Sequence, residues 1–119
     1  MYREIKVGKN TIPMLANGAT PIRYRMVFKK DLIHEFQQVE GNNYSIAVDT
    51  LSELAFIMAK AADKADMNKL NMEIFIEWLE QFEPFDLTEA VEEIVDLYMG
   101  NSETTSEVKK KEGDAVSEK

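Results

Sequence analysis

A chain of 119 residues, 45% hydrophobic and 30% charged, suits one globular domain and is too short for a second core, while a net charge of −8 leaves too few cations for general nucleic-acid binding. The absence of cysteine excludes disulfides, thiolate metal sites and thiol nucleophiles together and agrees with a reducing compartment. No apolar run approaches the roughly 20 residues that cross a bilayer, and "MYREIKVGKN" lacks the apolar stretch of a signal peptide, so a cytoplasmic protein without a membrane partner is expected.

In "REIKVGKNTIPML", Ile5 and Val7 alternate with charged residues, Gly8-Lys9-Asn10 supplies turn chemistry, and Thr11 and Ile12 resume an extended run. This predicts a short β-hairpin, with Pro13 confining the second strand to an edge or an early end. After the loop "ANGAT", Thr20 and Pro21 read as an N-cap and a first helical residue. Ile22, Met26, Phe28, Leu32, Ile33 and Phe36 then fit either one helix across Pro21 to Gln38 or two meeting near Lys29-Lys30-Asp31.

"EGNNYS" punctuates the chain, and a helix beginning near Ser45 to Asp49 carries Leu51, Leu54, Ala55, Met58, Ala61, Ala62 and Ala65 as a one-sided stripe. In "NMEIFIEWLEQF", Met72, Ile74, Phe75, Ile76, Trp78, Leu79 and Phe82 wrap most of a helix, which is therefore expected at the centre of the core or under another molecule. Pro84 closes it. A last helix follows, capped by Asp86 or Thr88, with Leu87, Val91, Ile94, Val95 and Tyr98 inward, Glu89, Glu92, Glu93 and Asp96 outward, and Gly100 as its stop. The residues from 101 to 119 have two valines and one alanine as their only hydrophobic side chains, too few to offset the entropy of ordering them. The expected fold is mainly α: a short N-terminal β-hairpin, a compact bundle of about four or five helices within residues 1–100, and a disordered polar tail over 101–119.

Charge is segregated along the chain. Residues 1–30 carry +6 and the remainder −14, and residues 71–100 hold nine carboxylates with no Lys or Arg. The cations concentrate in "TPIRYRMVFKKDL", at Arg23, Arg25, Lys29 and Lys30. Either they are a solvated face balancing an acidic body, or they bind something. Arg23 and Arg25 flank Tyr24, offering planar donors beside an aromatic ring, which is interface chemistry.

Motifs for catalysis are lacking. His34 is the only imidazole, so a multi-histidine metal site is impossible, and no spacing marks partners for a triad. Asp63, Asp66 and the Glu89 to Asp96 cluster lack the loop of a calcium site, and Gly8 and Gly18 belong to no phosphate-binding spacing. No catalytic residue, metal or cofactor is expected. The aromatic excess at Phe75, Trp78 and Phe82 reads as core or, where some of it is left partly exposed, as a partner-binding surface.

The order of an "EI-V-GK" hairpin, the connection "IPMLANGATPIRYR", "FKKDL" and an acidic helical body ending in a polar tail resembles the tail assembly chaperones of long-tailed phages and prophages of Gram-positive bacteria, over residues 2 to 100. Where that pattern has "FGKDL", this chain carries Lys29 in place of the helix-breaking glycine, which leaves a continuous helix open. The resemblance implies a non-catalytic assembly factor of the host bacterial cytoplasm, absent from the finished virion. Many copies would coat the tape-measure protein, keep it soluble and help recruit tail-tube subunits. It also implies a longer frameshifted product that engages the tail-tube protein, for which consecutive codons at Lys109, Lys110 and Lys111 offer a slippery run. Homo-oligomers are expected through opposite charges, with Arg23, Arg25, Lys29 and Lys30 of one copy facing Glu89, Glu92, Glu93 and Asp96 of the next. The alternative is an acidic regulator, or nucleic-acid mimic, that uses the carboxylates of residues 71–100 to occupy a basic partner's groove.

Overall fold

A computed structural model describes residues 1–37 and 47–100; the punctuating "EGNNYS", the helix start at Ser45 and the expected tail over 101–119 lie outside the described residues. Strands β1 (Tyr2–Val7) and β2 (Asn10–Leu15) form an antiparallel pair, followed by six α-helices among the described residues. These are α1 (Thr20–Phe28), α2 (Leu32–Gln37), α3 (Val48–Ala62), α4 (Met72–Leu79), α5 (Asp86–Glu89) and α6 (Val91–Met99), with a 3-10 turn at Met67–Lys69.

Val7 pairs with Asn10 across a two-residue loop whose first residue, Gly8, has φ +62°. Glycine suits that dihedral, and a Cβ there would lie 2.1 Å from Asp86 Oδ2, so the Asp86 carboxylate would have to move. Counting outward from the loop, hydrogen-bonded and non-hydrogen-bonded pairs alternate, and the Glu4–Pro13 pair falls on a non-hydrogen-bonded position. Pro13 therefore sits mid-strand without costing a ladder bond. The ladder runs on to Met1 and Ala16, which exchange backbone hydrogen bonds. Ile5, Val7, Met14 and Ala16 are buried on the inner face, where β2 packs on α3 and β1 on α5 and α6.

Residues 21–37 form two helices. Lys29 ends α1 in the left-handed region, φ 62° and ψ 31°, its N–H donating to Arg25 O over 2.9 Å. Asp31 Oδ1 then accepts from Ile33 N at 3.0 Å and starts α2. The lysine thus takes the conformation a glycine would take more cheaply. Thr20 is the first helical residue and not the cap. Its hydroxyl accepts from Asn17 N at 2.9 Å, and Asn17 Oδ1 accepts from Ala19 N, so the two side chains fix the loop that delivers α1.

Helix α3 occupies the centre, so of the two places expected for α4, the centre of the core or beneath another molecule, the first is taken by α3. Every residue from Thr50 to Ala59 is buried, including Phe56 and Ile57 off the expected stripe, because the hairpin, α1, α4, α5 and α6 surround it. Ser52, Ala55 and Ala59 are small enough to let those neighbours close in. Helix α4 buries only Phe75 fully. It starts on Asn71, whose Oδ1 accepts from Ile74 N at 2.9 Å, and ends at Leu79, short of Phe82 and Pro84.

The expected last helix is broken at Ala90. Neither Asp86 nor Thr88 caps it; Asp86 Oδ2 accepts from Glu83 N at 2.9 Å instead, within the preceding turn. Within α6 the inward face is centred on Ile94, Val95 and Leu97, which are buried, while Val91 and Tyr98 are half-buried. Gly100, at φ 78°, ends α6 as expected.

Candidate functional site

The aromatic side chains form a path from core to surface. Tyr24 and Phe28 of α1 lie 5.4 Å apart, Phe28 meets Phe75 at 5.1 Å, Phe75 meets Phe56 at 5.1 Å, and Phe56 meets Trp78 at 5.5 Å. Trp78 then stacks edge-on against Phe82 at 5.0 Å. Phe75 is enclosed, Trp78, Leu79 and Phe82 are half-buried, and Phe85 beyond them is 71% exposed. An apolar edge thus opens where α4 gives way to the turn before α5. Of the three residues singled out in the sequence, Trp78 and Phe82 share this edge, while Phe75 supports it from beneath.

The basic block does not act as a unit. Lys30 Nζ lies 2.9 Å from Glu53 Oε1 and 3.1 Å from Oε2, and the same carboxylate accepts from the Tyr24 hydroxyl at 2.6 Å. Glu53 is 6% exposed, on the central helix. Two donors compensate a carboxylate whose burial would otherwise be costly. The hydrogen bond from Lys30 to Glu53 raises the Lys30 pKa against the opposing pull of partial burial, and burial followed by the hydroxyl's own hydrogen bond to Glu53 raises the Tyr24 pKa. Sequence reasoning missed Glu53, although it is the lone charge within "TLSELAFIMA". Beside this cluster Thr50 Oγ1 donates to Glu35 Oε1 at 3.3 Å, tying α2 to α3.

Arg23 directs its guanidinium to Asn17 Oδ1 at 3.3 Å, and is half-buried. Arg25 and Lys29 are exposed, Lys29 Nζ reaching only the Met26 carbonyl oxygen at 2.9 Å. Glu89, Glu92 and Glu93 are exposed on α5 and α6, whereas Asp96 is half-buried. Lys30 is thus engaged inside the fold and Arg23 in its own loop, so two of the four cations expected to face a neighbouring copy point at this chain's own groups.

A shallow cleft of about 300 Å³ lies between the hairpin loop and the α4–α5 connection, lined by Gly8, Lys9, Asn10, Gln81, Glu83 and Asp86. Among the described residues no group of three or more His, Asp or Glu side chains is arranged to hold a metal ion, and no helix is long and apolar enough to cross a membrane. Compared with models of known protein families, with curated proteins and with solved structures, the chain finds no match in any of the three.

Proposed function

We propose that this chain is a non-catalytic phage tail assembly chaperone that binds the tape-measure protein, keeps it soluble and helps recruit tail-tube subunits. The observation that carries the reading is the half-buried Trp78–Phe82 pair, followed in the chain by the exposed Phe85, on a body whose surrounding helices α4 to α6 bear carboxylates and no cations. A tape-measure protein presents long helices with apolar stripes. A soluble partner for it needs an apolar seat that does not drive its own aggregation, and a strongly charged rim supplies that restraint. The order of elements in the sequence supports the same reading, from the hairpin through the "FKKDL" junction to the acidic helices.

The exposed carboxylates Glu89, Glu92 and Glu93 favour a second reading, an acidic regulator seated in a basic groove. Co-expression separates the two. With the long helical open reading frame beside its gene, the chaperone rescues that product from the insoluble fraction and co-purifies with it. A long product that stays insoluble, together with tight binding to a basic protein that salt abolishes, would favour the regulator.

A further inference from the structure

The hairpin has two outer edges, and its register makes them unequal. Hydrogen-bonded pairs fall at Val7–Asn10, Ile5–Ile12 and Arg3–Met14 and end on the exchange between Met1 and Ala16, so these residues direct their backbone groups into the ladder. The residues between them direct theirs outward: Tyr2, Glu4 and Lys6 along β1, and Thr11, Pro13 and Leu15 along β2. Proline has no N–H, so the β2 edge lacks its middle donor and disfavours a further strand. The β1 edge keeps all three donors and all three acceptors, and among the described residues none of these groups has a hydrogen-bond partner.

The side chains along that edge form a charged and aromatic row. Tyr2 (56% exposed), Glu4 and Lys6 share the outer face, the Tyr2 hydroxyl donating to Glu4 Oε2 at 3.3 Å. A segment added antiparallel to β1 sets its own alternate residues opposite these three. Read from its N-terminus, such a segment needs a carboxylate opposite Lys6, a cation opposite Glu4 and an aromatic or β-branched side chain opposite Tyr2, with apolar residues between them on the inner face beside Ile5 and Arg3. We infer that β1 is a docking edge for an extended segment of a partner protein with this acid, base, aromatic alternation, held by backbone hydrogen bonds and selected by charge.

A second copy of β1 fits the edge less well. One antiparallel register sets Glu4 opposite Lys6 twice, but Tyr2 then falls opposite Gly8, inside the turn at φ +62°. The adjoining registers set Glu4 against Glu4 or Lys6 against Lys6, which like charges oppose. The inference rests on the hairpin alone and is independent of the client edge at Trp78 and Phe82.

Pro13 suggests the test. Glu4 faces it across a non-hydrogen-bonded pair, so E4P removes one outward donor and no ladder bond, as Pro13 itself does on β2. The probe is the acetylated and amidated peptide Thr-Glu-Val-Lys-Val-Tyr-Thr, titrated into the full chain and followed by NMR. In the free protein the Tyr2, Glu4 and Lys6 amides exchange rapidly with solvent, and saturating peptide slows all three about tenfold or more. E4P weakens binding about tenfold with circular dichroism unchanged, whereas E4Q, which keeps the donor and loses only the charge, weakens it less. T11P, which removes a donor from the β2 edge instead, binds like the wild type. A peptide with its Glu and Lys exchanged binds the wild type about threefold more weakly or worse, because like charges then lie opposite. Should E4P fail to fold, amide exchange and the two peptides decide the matter on the wild type. Amides of Tyr2, Glu4 and Lys6 that stay fast at about 1 mM peptide overturn the inference, as does equal affinity for the two peptides or a folded E4P that binds as well as E4Q. Protection of those amides in the chain alone that fades on dilution overturns it too, since a second copy would then occupy the edge.

Discussion

Tyr24 of α1 donates its phenolic hydrogen to Glu53 Oε1 of α3 across 2.6 Å, and Lys30 closes on the same carboxylate from the α1–α2 junction. The cluster ties the basic segment to the central helix, so part of the charge concentration that looks external in the sequence is internal in the fold. Y24F is expected to cost about 1–3 kcal/mol, the worth of a hydrogen bond to a charged acceptor. K30M leaves the carboxylate one donor short and costs about 2 kcal/mol, less than a fully buried pair would lose because the Lys30 side chain is 37% exposed. Urea unfolding followed by circular dichroism measures both, and a double-mutant cycle gives their coupling. Additive losses would mean that the two donors do not share one acceptor.

Alkali should unfold the protein through the same cluster. Tyr24, Tyr98 and Lys30 all have pKa values raised in the fold above their ordinary 10.0, 10.0 and 10.5. The folded state therefore holds these protons where the unfolded chain releases them, so their contribution is fully present below about pH 10 and is lost as pH rises through the folded values. For Tyr24 the slope is about 1.4 kcal/mol per pH unit, and Y24F flattens the decline by that share. Stability that rises above pH 10 in the wild type would contradict this sign.

Lys29 holds φ 62° at the end of α1, a conformation that favours glycine. K29G should stabilise the fold by about 0.5–1 kcal/mol, the relief of left-handed strain exceeding the entropy that glycine adds to the unfolded chain. K29V, branched at Cβ, should destabilise it. Thermal melting distinguishes the outcomes, and a K29G melting point below the wild type would show that the Lys29 side chain contributes more than its backbone costs.

That junction marks the boundary of what the sequence makes legible. The hairpin and its turn follow from alternation and Gly8, but over residues 21–37 periodicity fits one helix or two, and the break at Lys29 is not singled out because lysine is a good helix former whose local preference is overridden by packing on either side. That α3 rather than α4 holds the centre has a related reason. Apolar content along a helix reports how many sides are greasy, not how many neighbours arrive, and α3 is surrounded because its small residues and its neutralised Glu53 admit them. Leu97 escapes because it lies three residues from Ile94, on the side of α6 away from the Val91–Tyr98 stripe read as inward. The aromatic edge is half legible: the excess at Phe75, Trp78 and Phe82 is plain in the sequence, but only the early end of α4 at Leu79 shows which of them reach the surface.

Under the proposed function the Trp78–Phe82 edge seats a helical client. Trp78 is the single tryptophan of the chain and lies half-buried at that edge, so its emission reports occupancy directly. Titration with a soluble, tryptophan-free segment of the tape-measure protein should shift the emission to shorter wavelength and saturate. F82A or F85A should weaken the binding about tenfold, or 1.4 kcal/mol, as expected for an aromatic anchor. An emission spectrum unchanged at client concentrations that saturate co-sedimentation would place the client elsewhere and contradict the claim.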